Sequence, residues 1–140
     1  MINLNDIRQA TTKLRFTRGM SMVGPEYAGC CGTGVRPTIL RCPYSQIKEP
    51  LFLVGPELCI DEHKRTIALN HLAGHPQRIY GKDNSTVYVF KTKHTAIEKF
   101  LELCGKVLEY NESERTEVAL LREQARKGDM AAALSLGLDH

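Results

Sequence analysis

All six prolines of this 140-residue chain lie at or before Pro76, and the last 64 residues contain none. Proline removes a backbone donor and its ring clashes with the preceding turn, so long helices are excluded wherever it recurs. The early part of the chain is therefore expected to form short strands and turns, and long helices belong in the proline-free remainder. The fold class read from this division is α+β. A small, mostly antiparallel sheet comes from the N-terminal two thirds, and a C-terminal helical segment carries helices near 96–109, 112–127 and 130–137. The length suits one core, so residues 1–140 are read as a single domain, with a sheet-rich part over 1–94 and a helical part over 95–140.

Residues 3–14 suit a short helix capped by Asn3 or Asn5, with Ile7 and Leu14 inward and the pair Thr11-Thr12 weakening it. LRFT, at 14–17, alternates as a strand does, and both options stay open. GMSMVGPEYAGCCGTG, at 19–34, holds five of the eleven glycines and reads as one long loop. RPTILRC gives a strand around Ile39 and Leu40 that Pro43 ends. LFLV, at 51–54, lies between Pro50 and Gly55-Pro56 and suits a buried strand. QRIYGKDNSTVYVFK reads as a hairpin, with RIY and TVYVFK flanking the turn formers GKDNS. Val87 and Val89 face one way, Tyr88 and Phe90 the other. Both faces are apolar, so this second strand is placed inside the sheet.

In HTAIEKFLELCGKVLEY, Thr95 and Glu98 have capping-box spacing, and Ile97, Phe100, Leu101, Cys104 and Leu108 form one apolar stripe. Gly105 costs such a helix about 1 kcal/mol against alanine, which suggests a role in close packing. Asn111 is read as the cap of the next helix, with Val118, Leu121 and Ala125 inward. Gly128-Asp129 would close that helix and cap a last one. This joint, LREQARKGDMAAALSLGL, is similar to one helix–turn–helix of the tetratricopeptide or Sel1-like repeats. Such repeats need about three copies to be stable. With one copy present, the segment is read as a helical hairpin.

CIDEHKRTIALNHLAGH, residues 59–75, concentrates one cysteine and three of the five histidines. The spacing favours a helix over about 62–73, capped by Asp61 and stopped by Gly74 and Pro76, with Lys64, Ile67, Ala68, Leu72 and the stem of His71 on one face. A hairpin turning at Glu62–Lys64 is the alternative. In a helix, His63 and His71 are about 12 Å apart along the axis, and Cys59, before the start, lies further still. Zinc holds its ligands at about 2.0–2.3 Å, so this string is not one site. His71 and His75 remain a possible pair that would need Cys30, Cys31 or Cys42, and without paired ligand spacing no metal and no cofactor are assigned. No catalytic set is complete either. A hairpin and helix carrying His75, Asn84 and His94 resembles the outline of a His-Asn-His nuclease, which would imply a metal-assisted phosphodiester hydrolase. GCCGTGVRP, with Arg36, offers backbone donors to an anion but lacks a phosphate-loop signature.

Charge is distributed unevenly. Residues 1–50 carry seven Lys/Arg against three Asp/Glu, residues 51–95 six against four, and residues 96–140 six against nine. A basic front attracts phosphate-bearing partners by electrostatic attraction and counterion release. The candidate ligand-binding residues are Arg15, Arg18, Arg36, Arg41, Lys64, Arg65, Arg78 and Lys82. Phe16, Tyr44 and Tyr80 lie beside cations and could stack bases. No stretch is apolar enough for a bilayer, and the start has no secretory h-region. The five cysteines are read as reduced thiols in a cytoplasm. The expected function is a small non-enzymatic binding or regulatory protein, of the accessory kind that phages and mobile elements encode. It would engage a nucleic acid or nucleotide-like ligand, while its acidic C-terminal helices contact a protein or a second copy. Besides the nuclease, a protein inhibitor acting by direct contact is the other alternative.

Overall fold

A computed structural model describes residues 3–28, 35–74, 79–80 and 86–126, with side chains given through Glu114 except at 79 and 80. The chain divides into two compact units, Met1–Leu108 and Glu109–His140.

The first unit is built on one sheet. Its strands are β1 (Ser21–Val23), β2 (Pro37–Arg41), β3 (Phe52–Pro56), β4 (Ile79–Tyr80) and β5 (Val87–Phe90), in the spatial order β1-β2-β3-β5-β4. Every pairing is antiparallel. Because β5 runs against both β3 and β4, those two are parallel to each other. A parallel pair needs a crossover, and α2 (Glu57–Leu72) supplies it. The strand pairing expected of the hairpin over 77–91 is present, with Ile79 and Tyr80 against Tyr88 and Val87, and β5 is interior as its two apolar faces require.

Registers fix what each face carries. Leu40 pairs with Leu53, and Leu53 with Val89; these side chains meet Ile60, Ile67 and Ala68 of α2 in one core. Ile39 and Val54 lie on the opposite face, as does the row Arg41, Phe52, Phe90. That face packs on Ile7 of α1 (Leu4–Lys13) and on Ala96, Ile97, Phe100, Leu101 and Cys104 of α3 (Lys93–Arg126). Helices thus cover both faces, which is why PTILR and FLVGP are buried along nearly their whole length rather than alternately.

Local chemistry sets the helix ends. Asn3 caps α1 in a capping box with Asp6. Thr11, expected to weaken this helix, is fully buried and returns its hydroxyl to the Ile7 carbonyl at 2.6 Å. The segment 19–34 is not one loop: Ser21–Val23 pairs with β2, and Gly24 N–H donates to the Pro37 carbonyl at 2.7 Å. Residues 29–34 lie outside the described residues.

Three helix boundaries differ from expectation. α2 begins at Glu57, so Asp61 is not its cap and Cys59 lies within its first turn. The cause lies in the residue that precedes β2, since the Arg36 carbonyl accepts from Glu57 N–H at 3.1 Å. Leu72 points outward, half exposed. α3 begins at Lys93, capped by Thr92 rather than Thr95; Thr95 N–H donates to the Thr92 hydroxyl at 3.3 Å. Finally, α3 runs through Asn111 without a break, because a capping side chain does not end a helix whose preceding residues satisfy one another's backbone. The helix expected over 130–137 lies outside the described residues. Among the described residues no helix is long and apolar enough to cross a membrane.

Candidate functional site

β2 ends, β3 begins and β5 ends at the same side of the sheet, where Arg41, Phe52 and Phe90 stand in register. The C-terminus of α1 and the N-terminus of α3 arrive there too. Lys93 Nζ donates to the Thr12 and Leu14 carbonyls at 3.2 and 2.7 Å. Gly19 N–H donates to the Arg41 carbonyl at 3.0 Å. The segments meeting at this end are 12–19, 41–51 and 90–94. They contain Lys13, Arg15, Arg18, Arg41, Lys48, Lys91 and Lys93, against Glu49 as their one carboxylate.

The centre of this end alternates cations and rings. Phe16 and Phe52 meet edge to face, with centroids 5.8 Å apart. Lys93 Nζ lies 5.8 Å from the Phe16 centroid, and the Arg41 guanidinium 5.7 Å from that of Phe52. Arg18 donates to the Ser45 and Ile47 carbonyls at 3.0 and 2.8 Å. Ring faces and carbonyls hold a cation in place without cancelling its net charge. Among the described residues, none of these seven cations is ion-paired. Elsewhere among the described residues several cations face carboxylates, Arg8 with Glu98 at 2.7 Å, Arg36 with Glu57 at 3.0 Å and Lys99 with Glu102 at 3.1 Å, while Arg65 on α2 does not.

The residues singled out from sequence separate accordingly. Arg15, Arg18 and Arg41 come together here. Arg36 stands just before β2, five residues before Arg41 and roughly 17 Å away at a strand's rise, and is held by Glu57 and, at 3.7 Å, Glu26. Lys64 lies on α2, 3.8 Å from Asp61, and Arg65 is exposed on the same helix. Arg78, Lys82 and Tyr80's side chain lie outside the described residues. Phe16 is core, and Tyr44 packs partly buried, so neither presents a free stacking face. Lys13, Lys48, Lys91 and Lys93 were not singled out. Lys91 and Lys93 flank the strand-to-helix junction, which was the available signal, but only the strand order brings that junction beside Arg41.

Other chemistry is less supported. Among the described residues no group of three His, Cys, Asp or Glu could hold a metal ion. His63 and His71 are both half-buried on α2, eight residues apart, and His94 is exposed in the first turn of α3. His75, Asn84, Cys30 and Cys31 lie outside the described residues. Burial pushes the Cys42 thiol up in pKa, against the lowering pull of a backbone hydrogen bond from Tyr44 and of Arg18 and Arg41, which is the direction opposite to that of an activated nucleophile. An open groove of about 560 Å³ beside Phe90 and His94 is lined by Glu98, Lys99 and Glu102, whose charges pair with neighbours.

Fold and site together define an α+β protein with helices on both sheet faces and a cationic end that carries no ion pair among the described residues. No protein-family model, curated protein or solved structure matches the chain.

Proposed function

We propose that the protein is a small non-enzymatic binding or regulatory factor that engages a nucleic acid or nucleotide-like anion at the cationic end of its sheet. One observation carries this reading: seven cations lie in three converging segments with no ion pair among the described residues, while Arg8, Arg36 and Lys99, away from this end, each face a carboxylate. Phosphate would take the place of the absent carboxylates, and counterion release would drive the association. Lys13, Arg15, Lys48 and Lys91 are exposed and would meet the ligand first. Lys93 and Arg41, anchored on rings and carbonyls, would hold fixed positive charge behind them. The working compartment on this reading is the cytoplasm, in keeping with the free thiols Cys42, Cys59 and Cys104.

The test is anisotropy titration against single- and double-stranded DNA, RNA and a nucleotide panel over a range of salt. For nucleic acid, log affinity should fall with log salt with a slope of about −0.9 per phosphate neutralised on a duplex. Reversing Lys13, Arg15, Lys48 and Lys91 to Glu should abolish binding, and reversing Lys64 and Arg65 should not. A response independent of salt, or equal losses from both sets, would refute the assignment. Cleavage that requires Mg²⁺ would favour a hydrolase instead.

A further inference from the structure

We propose that the outer face of α2 is a self-association surface, on which two copies of this chain pair their α2 helices antiparallel about a two-fold axis. α2 buries Ile60, Ile67 and Ala68 against the sheet. Its opposite side is not the polar face such a helix ordinarily shows. Leu58, Leu69 and Leu72 are 63%, 50% and 50% exposed. With Glu62 and Arg65 they fall at 58, 62, 65, 69 and 72, which are successive steps of four and three. At 100° per residue all five lie within about 80° of one another, centred opposite the buried side. That is the spacing of a coiled-coil seam, with 62 and 69 at one heptad position and 58, 65 and 72 at the other.

From Leu58 to Leu69 the sequence of this stripe is complementary to its own reverse. In an antiparallel pair centred between residues 63 and 64, Leu58 meets Leu69 of the second copy and Glu62 meets Arg65 of the second copy. The two-fold axis repeats both contacts. Glu62 and Arg65 are exposed, and neither forms an ion pair among the described residues. A parallel pair would instead set Glu62 against Glu62 and Arg65 against Arg65, which like-charge repulsion disfavours. The charged layer therefore fixes orientation and register, as a single polar layer does in coiled coils. α2 has 16 residues, about 24 Å of helix, so the contact falls below the standard interface size and belongs to the weak class, with Kd on the order of 10 µM.

Sedimentation velocity on the full chain, up to about 200 µM, reads the equilibrium. The wild type should pass reversibly from monomer to dimer. E62R and R65E each place two like-charge contacts at the axis and should weaken the dimer about tenfold or more. E62R/R65E restores complementarity and should recover it, with circular dichroism confirming the fold of each variant. Register has its own readout. Residues 58 and 69 of one chain are about 16 Å apart along the helix, too far for a disulfide. L58C/L69C should therefore cross-link between chains under mild oxidation, and L58C alone should not, beyond the wild-type background. A wild type that stays monomeric throughout, or a double swap no better than the single reversals, overturns the proposal. So does co-purification of a different protein on this face that leaves no dimer.

Discussion

Two glycines of the first unit should respond oppositely to the same substitution. Gly55 sits in β3, and a Cβ built there would lie 2.7 Å from the Thr86 carbonyl oxygen, 3.1 Å from Val87 Cα and 3.3 Å from Val87 Cγ2. Two of these three atoms are backbone, so no rotamer change relieves the contact; β3 and β5 must separate. Overpacking of this kind costs about 1–3 kcal/mol, and the gain from a stiffer unfolded chain returns only about 0.4–1 kcal/mol. Gly55→Ala should therefore lose about 1–2 kcal/mol net. Gly105, in α3, is the opposite case. It was expected to permit close packing, yet a Cβ there meets only Leu4 Cδ2 at 3.7 Å, an ordinary contact. Nothing then offsets its poor helix propensity, and Gly105→Ala should gain about 1 kcal/mol. Urea unfolding by circular dichroism reads both, as midpoint shifts of opposite sign at unchanged slope. Near the thermal midpoint each kcal/mol corresponds to about 3–6 °C for a unit of this size. If Gly55→Ala is neutral, β3 and β5 are not as close as described. If Gly105→Ala destabilises, α1 is packed more tightly on α3 than the Leu4 contact implies.

Three further outcomes follow from the cysteines. A Cβ on Gly24 would stand 2.7 Å from Cys104 Sγ, so Gly24→Ala should destabilise, and combining it with Cys104→Ala should cost less than the two losses added; strict additivity would count against the contact. Burial pushes the Cys104 thiol up from 9.0 to about 12, so between those values the unfolded chain holds fewer protons than the folded one. That contribution is complete below pH 9.0 and is lost as pH rises towards 12, at no more than about 1.4 kcal/mol per pH unit. The stability difference between the wild type and Cys104→Ala should narrow over that range, and curves that stay parallel would show the thiol to be hydrated. In thiol labelling followed by peptide mapping, half-exposed Cys59 should react before buried Cys42 and Cys104, and faster at higher pH, because burial and Glu62 raise its pKa; prior modification of Cys42 would contradict its place in the core.

The sheet was legible where short-range chemistry and burial agree. PTILR, FLVGP and VYVF are apolar runs ended by proline, glycine or charge, and each forms a strand. What escaped depends on contacts distant in sequence. SMV is a strand because β2 pairs with it, and the glycines around it hide that pairing. α2 begins four residues before its best local cap because Arg36, just before β2, holds Glu57. Thr95 and Glu98 have the right spacing for a box, but Thr92, three residues earlier, takes the cap because Phe90 ends β5 just before it. Of the candidate site, arginine content indicated the sign of the charge but not its grouping. Arg36 and Arg41 are near in sequence, yet an extended strand puts them at opposite ends of the sheet.

The same contrast gives the cationic end its meaning. A cation that faces a carboxylate at about 3 Å, as Arg36 and Lys99 do, contributes little field beyond the pair. A cation set on a ring face or on carbonyls contributes nearly its full charge, because those partners carry none. Lys93 and Arg41 are of the second kind, and they bracket Phe16 and Phe52. The rings that complete the core therefore also place two fixed charges at one end of the sheet, and an edge-to-face pair leaves a ring face for each. Replacing Phe16 by Leu should keep most of the apolar burial but remove the ring under Lys93, about 0.5–1 kcal/mol of positioning. If fixed charge matters to anion binding, F16L should weaken it more than its loss of stability accounts for, and K93M should abolish that excess. Equal weakening by F16L in the K93M background would mean that only the exposed lysines bind.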